Sequence, residues 1–101
     1  MQKPLERLKR KIEKENLWLF ILSSLKEGKK CGKELKEMIE KRFNFITGKV
    51  TAYKVLYLLE KGGYVKSSKS GKRVYYTLTS KGKSELERGK KYINAIGKKL
   101  K

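Results

Sequence analysis

Neither aspartate nor histidine occurs anywhere in this 101-residue chain, and cysteine, proline and tryptophan occur once each. Without an imidazole or an aspartate there is no ordinary general base of that kind, no Ser/His/Asp triad and no His/Asp metal cluster, and one thiol cannot build a zinc site. The Gly48-Lys49 and Gly71-Lys72 pairs lack the preceding glycine spacing of a P-loop. The lysines fall mostly on expected exposed faces, a poor setting for a desolvated amine nucleophile. No enzymatic activity, no metal and no cofactor is therefore expected. The single Cys31 cannot close an intramolecular disulfide, so the fold does not depend on an oxidising compartment, and its expected role is that of a small buried hydrophobe. The longest apolar run, Leu17 to Leu22, is six residues, too short for a membrane span or a secretory signal core. A soluble cytoplasmic protein with no membrane partner is expected.

What the chain has in quantity is positive charge: 28 Lys and Arg against 10 acids give a net +18 and a pI near 10.1. Between Lys41 and Ser84 there are eleven basic residues and one acid, Glu60, while the other nine glutamates lie in the first forty residues or after Ser84. A monomer so charged repels itself, and a segregated cationic middle steers polyanions, so a nucleic-acid partner is expected. Lysine outnumbers arginine 23 to 5 and every acid is glutamate. That composition resembles the Lys/Glu enrichment of hyperthermophile, including archaeal, proteins.

At this length one domain spanning residues 1–101 is expected, with one core. Pro4 suits a first helical turn, and Leu5, Leu8, Ile12, Leu19 and Leu22 follow 3/4 spacing, which predicts a helix over 4–27 with Asn16 as a point of recapping or kinking. Leu35, Met38 and Ile39 predict a second helix over 32–42. Ala52, Val55, Leu56 and Leu59 predict a third over 48–62, with Thr47 as its N-cap. Val74, Tyr76 and Leu78 alternate with Arg73, Tyr75 and Thr77 in a hairpin over 64–79, turning at Lys69-Ser-Gly-Lys72. A last helix over 80–99, capped by Thr79 or Ser80, carries a thin apolar stripe of Leu86, Ile93, Ile96 and Leu100. Three helices, a two-stranded antiparallel wing and a final helix make a mainly α protein, a winged helix-turn-helix extended at both ends.

Five segments in this order resemble the successive signatures of the PadR-like transcriptional regulators: Leu19 to Gly28, Cys31-Gly-Lys-Glu-Leu35, Thr51-Ala-Tyr-Lys-Val-Leu56, Leu59-Glu-Lys-Gly-Gly-Tyr-Val65 and Arg73 to Gly82. The resemblance covers about residues 17 to 86. It implies a dimeric winged-helix repressor whose third helix enters the major groove of DNA and whose hairpin lies along the backbone. Tyr53 matches the family's recognition-helix tyrosine, and Tyr75-Tyr76 its paired aromatics on the second wing strand. Three positions depart from the pattern: Val50 stands where the family usually has glycine, Lys54 where it has proline, and Cys31 where it commonly has histidine. The short tail past Gly82 is similar to that of compact members whose final helix serves dimerisation, so the resemblance implies no separate effector domain.

The face of the third helix opposite its apolar residues carries Lys49, Val50, Tyr53, Lys54 and Tyr57, with Thr51 at its edge. Hydroxyls and ammonium groups on a helix that fits the major groove can reach base edges and phosphates. This helix has no arginine for the bidentate contact to guanine. Lys69, Lys72 and Arg73, with Lys66 as a lesser fourth, are the expected wing contacts to phosphate or minor groove. Lys30 and Lys33 are placed at the start of the second helix, where backbone N–H groups favour an anion. Leu5, Leu8, Ile12, Leu86, Ile93, Ile96 and Leu100 are the expected homodimer interface. The plain alternatives are tyrosines that only shield core and a wing tip that is only a solvated turn. Double-stranded DNA is the expected partner of a nucleoid-associated regulator. An architectural protein coating DNA with little sequence choice, or an RNA-binding wing domain using Tyr75 or Tyr57 to stack on bases, are the rival readings. Trp18 is expected in the core, and a small-molecule effector has no specific support in the residues around it.

Overall fold

Pro4 opens the first helix, α1 (Pro4–Arg10), where its missing N–H leaves no intrahelical bond unmade. In this computed structural model, which describes residues 3–101 and so leaves the first two positions of the expected domain outside it, the helix expected over 4–27 is interrupted. Lys11–Glu15 winds as a π-helical turn, Asn16 leaves helical geometry at φ −125° and ψ 36°, and α2 follows from Leu17 to Leu25. The Asn16 amide donates to the Lys11 carbonyl at 3.3 Å and covers part of the disrupted ladder. The wider turn brings Leu17, 2% exposed, onto the core side. No residue of α1 is buried.

Gly28, at φ 132°, lets the chain leave α2 and enter a short strand, β1 (Lys30–Cys31). The second and third helices of the sequence reading are α3 (Gly32–Phe43) and α4 (Lys49–Lys61). Asn44 ends α3 in the left-handed region at φ 62°. Thr47 does not cap α4: Gly48 occupies that position and Thr47 is buried in the preceding loop. Phe20 of α2 meets Phe43 and Phe45 edge-on, each at 4.9 Å between ring centroids, and so fixes the loop between α3 and α4 against α2.

The wing is β2 (Val65–Ser70) and β3 (Arg73–Leu78), joined by a two-residue turn with Gly71 at φ 62°. The two strands pair antiparallel from Val65 opposite Leu78 to Ser70 opposite Arg73. The sheet has three strands rather than the expected two, because β1 adds to the free edge of β3 with Lys30 opposite Tyr76 and Cys31 opposite Tyr75. A two-residue strand has no periodicity by which a sequence could announce it. Tyr76 and Leu78 face the core and Val74 nearer the tip is exposed.

The last helix, α5, runs from Ser80 to Lys99. The Thr79 hydroxyl oxygen accepts from the Gly82 N–H at 3.0 Å, and the hydroxyl donates to the Gly63 carbonyl at 2.7 Å, joining the start of α5 to the end of α4. Gly82 cannot be larger, since a Cβ there would sit 2.1 Å from the Tyr64 carbonyl oxygen. Leu86 requires a correction: it is 2% exposed and belongs to the core with Leu17, Ile21, Leu22, Leu25, Leu35, Ile39, Leu56, Leu59 and Val65. The helix reaches the core only in its first turns, so a stripe residue at 86 is consumed inside the protomer. Beyond Lys90 every residue of α5 is exposed.

Candidate nucleic-acid interface

The outward face of α4 follows from the burial of its inward one. With Ala52, Leu56 and Leu59 in the core, the residues at i, i+3, i+4 and i+7 from Val50, namely Tyr53, Lys54 and Tyr57, share one exposed face. Lys49 is exposed beside it. Thr51, at the edge of this face, is also exposed and lines a further groove with Phe45, Ile46, Glu13 and Lys14. Glu60, the lone acid of the cationic stretch, accepts a hydrogen bond from the Ser67 hydroxyl and ties α4 to β2.

The start of α3 meets the wing through β1. Lys33, Tyr53, Lys72 and Arg73 line one groove of about 480 Å³, together with Cys31, Gly32, Val74 and Tyr76. A neighbouring groove of about 380 Å³ shares Lys33 and Tyr53 and adds Lys36, Lys49 and Ile46, with Glu37 and Glu40 also among its walls. Four of the expected contact residues thus converge from three separate elements, and Lys49 borders them. Lys69 projects from β2 opposite Val74, exposed near the tip. Lys30 lies two residues before α3, near the helix start as expected, but as a half-buried residue of the unforeseen strand β1. Lys33, in the first turn of α3, remains exposed where the helix N-terminus favours an anion.

Three residues absent from the expected site shape it. Gly32 seats Tyr53, because a Cβ on it would stand 2.7 Å from the Tyr53 hydroxyl oxygen. Cys31 places its sulfur 3.7 Å from an Arg73 guanidinium nitrogen, and that bond pushes Arg73 above its already high ordinary pKa. Glu34 accepts from the Cys31 backbone N–H at 3.0 Å, which holds its carboxyl below the ordinary 4.5. The Cys31-Gly32 pair lay within a sequence signature, yet only the folded contacts give these residues their roles. On β3, burial raises the Tyr76 hydroxyl, while Tyr75 is half-buried with the Lys29 ammonium 5.5 Å from its ring centroid.

Away from this face, Leu5 and Leu8 on α1 and Ile93, Ile96 and Leu100 at the end of α5 are exposed, and Ile12 is half-buried. Trp18 is half-buried against the core, its indole N–H donating to the Asn16 side chain at 3.3 Å. No helix of the described residues is long and apolar enough to cross a membrane.

The chain sets a helix-turn-helix beside a cation-tipped β-ribbon, and residues 21–88 match the model of the transcriptional regulator PadR-like family. The chain belongs to the PadR-like family. A PadR family transcription regulator from Clostridium difficile is 30% identical, with 80% of this chain and 90% of that one covered at a TM-score of 0.75. A transcriptional regulator from Clostridium thermocellum is 28% identical over 83% of this chain and 92% of that one, at 0.74. Bacillus subtilis PadR, solved in complex with operator DNA, is 24% identical over 71% of this chain and 44% of its own length at 0.62, and shares the fold. No curated protein sequence matches significantly. Membership makes this chain a winged-helix transcriptional regulator of PadR type.

Proposed function

We propose that this PadR-like regulator binds double-stranded DNA sequence-specifically as a homodimer and represses transcription as a nucleoid-associated cytoplasmic protein. The observation that carries the reading is the convergence of Lys33, Tyr53, Lys72 and Arg73 on one groove beside the exposed face of α4. In this reading α4 enters the major groove with Lys49, Tyr53, Lys54 and Tyr57, Thr51 supports its edge, and Lys69, Lys72 and Arg73 hold the backbone. Lys30 and Lys33 contribute charge at the base of the wing.

Dimerisation rests on the two helical ends. The exposed Leu5, Leu8, Ile93, Ile96 and Leu100, with half-buried Ile12, form apolar stripes on arms that one protomer does not cover. Helices with such stripes gain most of their stability from packing against a partner. Two α4 helices so paired would read half-sites roughly 34–36 Å apart. A dimer that neutralises about six to ten phosphates should lose roughly 10³- to 10⁵-fold in affinity between 50 and 200 mM salt. A nearly flat salt dependence would reject the cationic face as the binding surface.

One feature favours a second reading, a protein that coats DNA with little sequence choice: α4 contains no arginine, asparagine or glutamine for bidentate base contacts. Binding to duplexes selected from a random library separates the two. A regulator prefers its selected site over random duplex by about 10³-fold or more, and a coat does not.

A further inference from the structure

Two large apolar side chains stand in solvent where the fold gives them nothing to cover. Val50, in the first turn of α4, is 82% exposed, and Ile46, in the loop just before it, is 77% exposed. Both exceed Tyr53, at 42%, and Tyr57, at 62%, the aromatic residues of the same face. Val50 shares its helix face with Tyr53 and Lys54, and Ile46 lines a groove with Tyr53, Lys49 and Lys33. They are therefore the apolar members of a surface that otherwise carries mostly hydroxyl and ammonium groups, with the Glu37 and Glu40 carboxylates also lining the Ile46 groove.

Such side chains carry no donor or acceptor, so they discriminate among base pairs only by apolar contact. On unmodified DNA the thymine C5-methyl is the apolar group that a base pair presents in the major groove. The polar members of the face discriminate weakly: lysine reaches guanine or phosphate as a point charge, and a tyrosine hydroxyl makes single bonds. We infer that Val50 and Ile46 are specificity-determining residues that read thymine methyl groups within each half-site. The inference rests on α4 entering the major groove of duplex DNA, and it specifies what that helix selects there.

The test uses the full chain and a duplex chosen by selection from a random library, with each thymine replaced in turn by deoxyuracil, which differs only by the missing methyl. Wild-type protein should lose affinity about fourfold at one or two positions per half-site, the equivalent of about 0.8 kcal/mol for one buried methyl. Val50→Ala and Ile46→Ala alter exposed side chains and leave the core intact, and each should abolish the sensitivity at its own position while leaving the others. Equal affinity for thymine and deoxyuracil at every position, with preference over random duplex intact, overturns the inference and leaves the DNA reading standing. Methyl sensitivity that persists in both variants also overturns it, since another side chain then makes the contact. Failure to prefer any duplex over random DNA rejects sequence-specific recognition itself, and this inference with it.

Discussion

Gly32 and Tyr53 are a matched pair: the ring of Tyr53 occupies the space that a side chain at position 32 would need, since a Cβ there would stand 2.7 Å from the Tyr53 hydroxyl oxygen. The absence of one methyl group at the start of α3 sets where an aromatic residue of α4 points. Gly32→Ala should leave the core intact but push Tyr53 aside and weaken operator binding by roughly 1–3 kcal/mol, the range of a lost specific contact. Combined with Tyr53→Ala it should add little, since both act on one side chain. Fluorescence anisotropy on one selected duplex reads all four proteins; a full additive loss in the double variant would separate the two residues.

Wing contacts should show in the salt dependence rather than in sequence preference. Lys72→Ala and Arg73→Ala each remove one cation from the groove they share with Tyr53. The slope of log K against log salt should fall by about one per lost phosphate contact, hence about two per substitution in a dimer. Discrimination between selected and random duplexes should change little. An unaltered slope for both variants would place the wing away from the backbone.

The stripe expected to mediate association splits into two energetic classes. Leu86 is a core residue and its truncation to alanine should cost about 2–5 kcal/mol of stability in urea or guanidinium unfolding. Leu8→Glu and Ile96→Glu alter residues that are 55% and 41% exposed, so each protomer should keep its core while the dimer dissociates. Light scattering at micromolar concentration distinguishes the classes. A wild-type monomer there would remove the proposed half-site geometry.

Much of the fold was legible because its elements announce themselves by periodicity. The inward residues of α4 and the alternation along β3 are visible in the spacing of Ala52, Leu56, Leu59 and of Tyr76, Leu78. Contacts between distant segments were not: β1 is two residues long, and nothing local marks Lys30, just ahead of the second helix, as the edge partner of Tyr76. Leu86 and Ile93 look alike in a helical stripe, and only the reach of the core against α2 separates them. The α4 face was read correctly as a surface, whereas Gly32 and Cys31 gain their site roles only when α3 and β3 are brought together.

The Glu34 carboxylate gives a pH-dependent handle on that junction. Its folded-state pKa lies below 4.5, so ionised Glu34 stabilises the fold above that value and the contribution fades as pH falls through the lowered one. Glu34→Ala should therefore lower the melting temperature at pH 7, and the gap to wild type should close in acid. Calorimetry between pH 7 and pH 3 tests the sign; a gap that stays constant with pH would show that the Glu34 charge does not carry the effect.

The π-helical turn at Lys11–Glu15 inserts, in effect, one surplus residue between α1 and the core. Each residue of an α-helix advances the azimuth by about 100°, so the wider turn and the non-helical Asn16 together free the apolar side of α1 from the phase of Leu17 and Ile21. In the proposed dimer, deleting a single residue from this stretch should turn the arm's greasy side relative to α4 and so alter the spacing between the two reading helices, without touching α4 or the wing.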